Sequence, residues 1–238
     1  MVENTKAVVI HYFAYSDTSI ILKAYTQKFG YSSYLVKGFK KRKKNKVNLH
    51  PFALIEISAI HNNDGGLNFA RSISSYKPLD SISLNPIKSS IVMFLAEWLY
   101  HTVSVGEQDE AFFNWLSPAI EKLNTEQNPA NFHLWFLFNL TKHMGFYPQG
   151  KKTTKTPFFN LTEGEFTNGS IPGDKLNNEE SKLLDSFLEN NYQKIIGINL
   201  TKLNRLNLLR FFHDYFQICQ NNEFKLKSFS ILLQIFDD

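Results

Sequence analysis

Seven of the ten residues from Lys37 to Lys46 are cationic: Lys37, Lys40, Lys41, Arg42, Lys43, Lys44 and Lys46. A run this dense repels itself unless anions are near, and lysine and arginine bind phosphates without reading base sequence. The chemistry it suits is noncovalent capture of a polyanion, nucleic acid above all. The bland alternative is a solvated loop. The first 82 residues also hold six of the ten tyrosines, Tyr12, Tyr15, Tyr25, Tyr31, Tyr34 and Tyr76. Aromatic rings stack on unpaired bases, but tyrosine is also a favoured strand residue, so about two of the six are expected to touch a base while the others pack.

Residues suited to covalent or metal chemistry are scarce. The seven histidines include no pair at i, i+4 and no HExxH, so a metal site on one helix is unsupported. The adjacent acids Glu179 and Glu180 read as helix-start chemistry, and Asp237 and Asp238 as a solvated end. The one cysteine, Cys219, has no basic or histidine partner near it in sequence and excludes intramolecular disulfides and multi-cysteine zinc sites. It fits a reducing compartment. Gly145 to Lys151 matches the G-x-x-x-x-G-K core of a phosphate loop, but a helical pattern precedes it and Lys152 takes the hydroxyl position. Gly145 is better read as a helix stop, with Pro148 beyond it. No catalytic residue, cofactor or metal is expected.

The elements that must position the cations follow from pattern. With 238 residues, 43% hydrophobic and 20% charged, the chain suits one or two packed domains rather than disorder. Its formal charge of +4 is uneven: up to Ile82 there are twelve Lys+Arg against five Asp+Glu, and after it fourteen against seventeen. Besides the run, Lys23 and Arg71 add to this basic first part. Short runs rich in Val, Ile, Leu and Tyr at Ala7–Phe13, Ser19–Thr26 and Ser32–Lys37 predict strands, divided by turns at Tyr15-Ser16-Asp17 and Phe29-Gly30. Phe52–Ile60 alternates, with Ala53, Ile55, Ile57 and Ala59 on one face, and Asn63-Asp64-Gly65-Gly66 turns into Leu67–Ser74. Five short antiparallel strands with a long loop after the third predict a small closed barrel of the OB type, an SH3-like barrel being the alternative.

From Pro86 the period is helical. Ile87, Ile91, Phe94, Leu95, Trp98, Leu99 and Thr102 form a stripe behind an Asn85-Pro86 start. A second helix from near Asp109 buries Phe112, Phe113, Leu116, Ile120 and Leu123, with a kink expected at Pro118. A third, after Asn128-Pro129, is apolar nearly all round and should be the most buried of a bundle. An irregular excursion at about 147–175 follows, with short strands at Pro157–Leu161 and Glu165–Thr167. Asn177 and Glu180 offer a capping box, and later helices are expected at about Lys202–Ile218 and Leu226–Phe236. The fold class is α+β: an OB-type domain over 1–80 and a helical domain over 81–238. No apolar run reaches the length of a transmembrane helix, and Ala7–Phe13 reads as a strand rather than a leader.

The order Val8-Val9-Ile10, Tyr15-Ser16-Asp17-Thr18-Ser19-Ile20, Tyr25-Thr26, Phe29-Gly30, Val36-Lys37-Gly38, the basic run and Leu49-His50-Pro51-Phe52 resembles the N-terminal barrel of the bacterial recombination mediator RecO. Phe132 to Pro148, ending Met144-Gly145-Phe146-Tyr147-Pro148, resembles that family's central helix and its stop. Leu208-Leu209-Arg210, Tyr215, Lys225–Lys227 and Ser228 resemble its last helices. The resemblance implies a cytoplasmic, nucleoid-associated DNA repair mediator that binds single- and double-stranded DNA and anneals complementary strands. It further implies work with RecR to load recombinase onto strands coated by single-strand-binding protein (SSB), without catalysis. An OB-type RNA-binding protein and a non-catalytic adaptor are the alternatives. The DNA contacts expected from the basic run and the basic first part are Lys37, Lys40, Lys41, Arg42, Lys43, Lys44, Lys46, Lys23 and Arg71. Docking of the acidic, aromatic-ended SSB tail falls to Lys142, Phe146, Tyr147, Lys151 and Lys152. Many members carry four zinc-binding cysteines in the excursion; this chain has none there, so Phe158, Phe159, Leu161 and Phe166 are expected to hold it. Ser16 stands where the family often has glycine.

Overall fold

A computed structural model describes residues 1–41, 47–62, 66–104, 108–169, 176–189 and 191–235. The chain divides into two compact units, Met1–Glu126 and Gln127–Asp238.

In the first unit, β1 (Val2–Ala14), β2 (Ile20–Thr26), β3 (Gly30–Val36), β4 (Leu54–Ile60) and β5 (Asn68–Lys77) close into a barrel in the order β1-β2-β3-β5-β4. This is the OB-type architecture. One expectation is corrected: β3 and β5 pair parallel, through Tyr34↔Asn68, Leu35↔Phe69 and Val36↔Ala70. The reason is parity. Five strands in a closed ring cannot alternate direction at every step, so at least one pairing must be parallel.

The barrel is filled by side chains that alternate inward. Ala7 and Val9, Ile20, Leu22 and Ala24, Tyr34 and Val36, Ile73, and the expected Ala53, Ile55, Ile57 and Ala59 form one buried cluster, closed by Phe39, Val47 and Leu49. Phe39 belongs to a 3-10 turn, Phe39–Lys41, that opens the long connection after β3. That connection re-enters at Phe52, whose φ of 64° places a buried aromatic residue in the left-handed region. Two ladder-like bonds hold it there, Phe52 N–H to the Val9 carbonyl at 2.6 Å and Val9 N–H to the Ala53 carbonyl at 3.0 Å. The described residues on either side of 42–46 are thus anchored on the barrel wall.

The helices α1 (Asp80–Leu84), α2 (Pro86–Thr102) and α3 (Glu110–Thr125) complete the first unit. Asn85 caps α2 by accepting from the Lys88 N–H, with Pro86 at the first position, and Asp109 caps α3 through the Phe112 N–H. Helix α3 runs on through Pro118. Tyr76 meets Ser117 at 2.9 Å, and the Tyr25 ring packs edge-on to Phe112 at 4.7 Å, joining α3 to the barrel's outer surface.

In the second unit, α4 (Phe132–His143) has every residue from Phe132 to Thr141 buried, as its all-round apolar character requires. Asn131, at the end of a 3-10 turn, donates to the carbonyls of Ile195, Ile196 and Ile198 at 3.1, 3.3 and 2.7 Å and accepts from Arg205 at 3.2 Å. It therefore ties the start of α4 to α6 (Tyr192–Gly197) and α7 (Lys202–Gln220). The excursion contains β6 (Phe158–Asn160) and β7 (Glu165–Thr167), and α5 (Asn178–Leu188) begins with the expected Asn177/Glu180 capping box. Phe159 is fully buried, its ring 5.2 Å from Phe166, 5.7 Å from Phe211 and 5.8 Å from Tyr215. Leu161 and Phe166 are also buried, whereas Phe158 is only half-buried. An aromatic cluster occupies this hairpin. The last helix, α8, covers Phe229–Ile235, and no helix among the described residues is long and apolar enough to cross a membrane.

Candidate nucleic-acid interface

The outward faces of β2 and β3 form the floor of an open groove of about 660 Å³, with Phe13, Lys23, Lys28, Phe29, Tyr31 and His61 among its lining residues. Local bonds explain why it is there. The Thr26 hydroxyl accepts from the Phe29 N–H at 2.9 Å and donates to the Gly30 carbonyl at 3.1 Å, so the β2–β3 turn is tight and Gly30 takes a φ of 57°. The Lys28 N–H donates to Thr5 at 3.2 Å, pinning the turn to β1. On the other wall, the Asn62 N–H donates to the Asn68 side chain at 2.9 Å and closes the base of the β4–β5 loop. These two anchors bring Phe29 and His61 together as a stacked pair, with ring centroids 3.5 Å apart and planes at 25°.

His61 is held from beneath by Tyr34, whose hydroxyl lies 3.0 Å from its Nε2. Burial pushes the Tyr34 phenol up to about 12 and lowers the pKa of His61, so both are neutral near pH 7. Tyr31 is buried on the groove floor, and among the described residues no hydrogen bond reaches its hydroxyl. Among the described lining residues two are cationic, Lys23 and Lys28, and one is acidic, Glu3.

The expected DNA contacts divide. Lys37 is exposed, its Nζ 5.7 Å from the ring centre of exposed Phe69, and Arg71 is exposed on the same strand as Phe69. The Lys40 side chain donates to the Ser16 carbonyl at 3.1 Å and its backbone N–H to Thr18 at 3.1 Å, fastening the basic segment to the β1–β2 loop. Lys23 lies across Tyr100, 4.6 Å from the ring centre and 3.4 Å from the hydroxyl. The backbone of Lys41 ends the 3-10 turn; Arg42, Lys43, Lys44 and Lys46 lie outside the described residues. Of the six tyrosines, Tyr25, Tyr31 and Tyr34 are buried, while Tyr12 and Tyr15 are exposed. Tyr12 also lines a second cavity of about 320 Å³ at the barrel end with Phe39, Val47 and Leu49, next to the basic segment. Lys28, Phe29 and His61 were not among the expected contacts. Each is a lone residue in a turn or loop, and only the fold brings them together.

In the second unit, Lys142, Phe146 and Tyr147 share a cavity of about 460 Å³ with Tyr215, Cys219 and Glu163. Lys151 and Lys152 do not line it; the Lys152 N–H is held by Asp185 at 2.9 Å. Phe146 and Tyr147 are half-buried, packed edge-on against Phe216 at 4.8 Å and Phe138 at 5.0 Å. Cys219 is exposed as a residue, but partial desolvation of its thiol pushes the pKa up, which disfavours the nucleophilic thiolate. Among the described residues no group of three or more His, Cys, Asp or Glu could hold a metal ion.

The barrel and its groove define an OB-type domain followed by a helical region. A family model described as "Recombination protein O N terminal" matches residues 1–80, and one described as "Recombination protein O C terminal" matches residues 83–225. The chain is 31% identical over 241 residues to DNA repair protein RecO of Azobacteroides pseudotrichonymphae, with all of both chains covered. It is 33% identical over 235 residues to DNA repair protein RecO of Flavobacterium psychrophilum, 98% of each chain being covered. For Christiangramia forsetii the figures are 32% over 240 residues, covering 99% of this chain and all of the relative. The chain belongs to the RecO family of DNA repair proteins.

Proposed function

We propose that this chain binds single- and double-stranded DNA through its barrel, anneals complementary strands, and helps load recombinase onto SSB-coated DNA at the nucleoid, in the cytoplasm. One observation carries the reading most: an OB-type barrel with an open groove over β2 and β3, bearing Lys23 and Lys28, beside a segment that begins with exposed Lys37 and Lys40. Phosphates are held by cations, and bases by ring faces. Annealing then needs no catalytic group, only two polyanions kept close with their repulsion screened.

RecR is the partner proposed for loading. For the SSB tail, the Lys142, Phe146 and Tyr147 cavity supplies ring surface and a cation, with Glu163 opposing an acidic ligand on one side. The test of the central reading is annealing of complementary DNA oligonucleotides without ATP, followed as salt is raised. Wild type is expected to accelerate annealing, and charge reversal of Lys40, Lys41, Arg42, Lys43 and Lys44 to abolish most of that acceleration.

A further inference from the structure

We infer that the stacked Phe29–His61 pair is a base-stacking platform that makes the groove selective for unpaired strands, an inference that rests on the DNA-binding reading above. The pair presents aromatic surface to the groove from two separate loops, and neither ring is buried out of reach. Among the described residues, the remaining barrel rings in the groove are Phe13 on one side and Tyr31 on the floor, the latter with a hydroxyl that no protein group satisfies. A buried hydroxyl without a partner is costly, and a ligand with a polar edge relieves that cost. A nucleobase has both a ring face and such an edge. Lys28, exposed on the turn that carries Phe29, is placed for the phosphate attached to that base.

Selectivity follows from access. In a duplex the internal base faces are covered by their neighbours and the pairing edges are used, so a duplex offers the groove phosphates and groove edges but no base to stack. A single strand can turn one base onto the platform. The lysine-rich segment, by contrast, recognises phosphates of either form. The barrel thus combines one region indifferent to strandedness with one that is not, which suits a protein that must keep hold of a strand while it becomes paired. As a strand is zipped into duplex, its base leaves the platform and only the phosphate contacts persist.

The platform is tested with the full chain, an oligothymidylate carrying one 2-aminopurine, and a duplex of matched length. Stacking quenches 2-aminopurine, so wild type should quench it on binding. Phe29→Ala is expected to remove the quenching and weaken single-strand binding by roughly 5- to 150-fold, the range for losing one stacked base, with duplex affinity unchanged. Phe29→Leu, which keeps apolar packing and removes the ring face, should likewise lose the quenching, and Phe29→Trp should retain it. Undiminished quenching by folded Phe29→Leu, or equal losses for single strand and duplex, would overturn the platform while leaving DNA binding intact. If wild type binds neither DNA form, the DNA-binding reading fails and the platform with it.

Discussion

Replacing Gly164 by alanine probes the β6–β7 hairpin of the second unit. Gly164 sits between β6 and β7 with a φ of 68°, fixed by its N–H bond to the Asn160 carbonyl at 2.9 Å and by the Gln149 N–H on its own carbonyl at 2.8 Å. An alanine there must adopt the left-handed region, at a cost of about 1–2 kcal/mol. Its Cβ would also lie 2.7 Å from the Tyr215 hydroxyl oxygen, closer than such atoms approach. The tyrosine must move, and its 2.8 Å bond to the Phe146 carbonyl is then lost, for about 1 kcal/mol more. The expected destabilisation is about 2–3 kcal/mol, which lowers the melting temperature by roughly 4–12 °C for a chain of this length. Calorimetry on Gly164→Ala, Tyr215→Phe and the double variant separates the two parts. With the hydroxyl gone, alanine meets less resistance, so the double variant should be more stable than the sum of the single losses requires, by about 1 kcal/mol. Strict additivity, or a Gly164→Ala melting temperature equal to that of wild type, would refute the steric part of the reasoning.

Two further outcomes are expected. His133 is completely buried, and burial, followed by the positive charge of Arg205, pushes its pKa down to about 3. In the unfolded chain it titrates near 6.5, so between these values the unfolded state binds the extra proton; stability is full above about pH 6.5 and falls as the pH drops toward 3, by up to about 1.4 kcal/mol per unit. Urea melts of wild type and His133→Phe across that window check it, the variant showing the shallower loss. Asn131→Ala removes the donor to three carbonyls and the acceptor of Arg205, and should cost roughly 2–4 kcal/mol by urea denaturation, far more than an exposed asparagine.

Elements built on local periodicity were legible in the sequence. The alternation that puts Ala53, Ile55, Ile57 and Ala59 on one face places all four in the barrel, and Asn85-Pro86 and Asn177/Glu180 begin helices as their chemistry requires. The start of β1 was not legible. Residues Val2 to Lys6 include Glu3, Asn4 and Lys6, and they form strand because their backbones pair with β4 from Val2↔Ile60 to Lys6↔Glu56. The short helices α1 and α6 also escaped, being too brief to show a period. For the site, a dense cation run announces itself in one dimension, whereas Phe29 and His61 are single aromatic residues in different loops. Their stacking depends on Thr26, Thr5 and Asn68 anchoring the loops, a tertiary arrangement with no local signature. The excursion lay between these cases: Phe159, Leu161 and Phe166 are buried as the departure from the family's cysteine pattern implied, with Phe159 at the centre, whereas Phe158 is only half-buried.

The most direct test of the central claim is the salt dependence of strand capture in the annealing experiment. If about five cations of the barrel engage phosphates, the log of single-strand affinity should fall with the log of salt at a slope of about −3.5, with the annealing rate falling alongside it. The variant with Lys40, Lys41, Arg42, Lys43 and Lys44 reversed should show a slope much nearer zero. A wild-type slope near zero, or unchanged annealing by that variant, would contradict the role assigned to the basic segment.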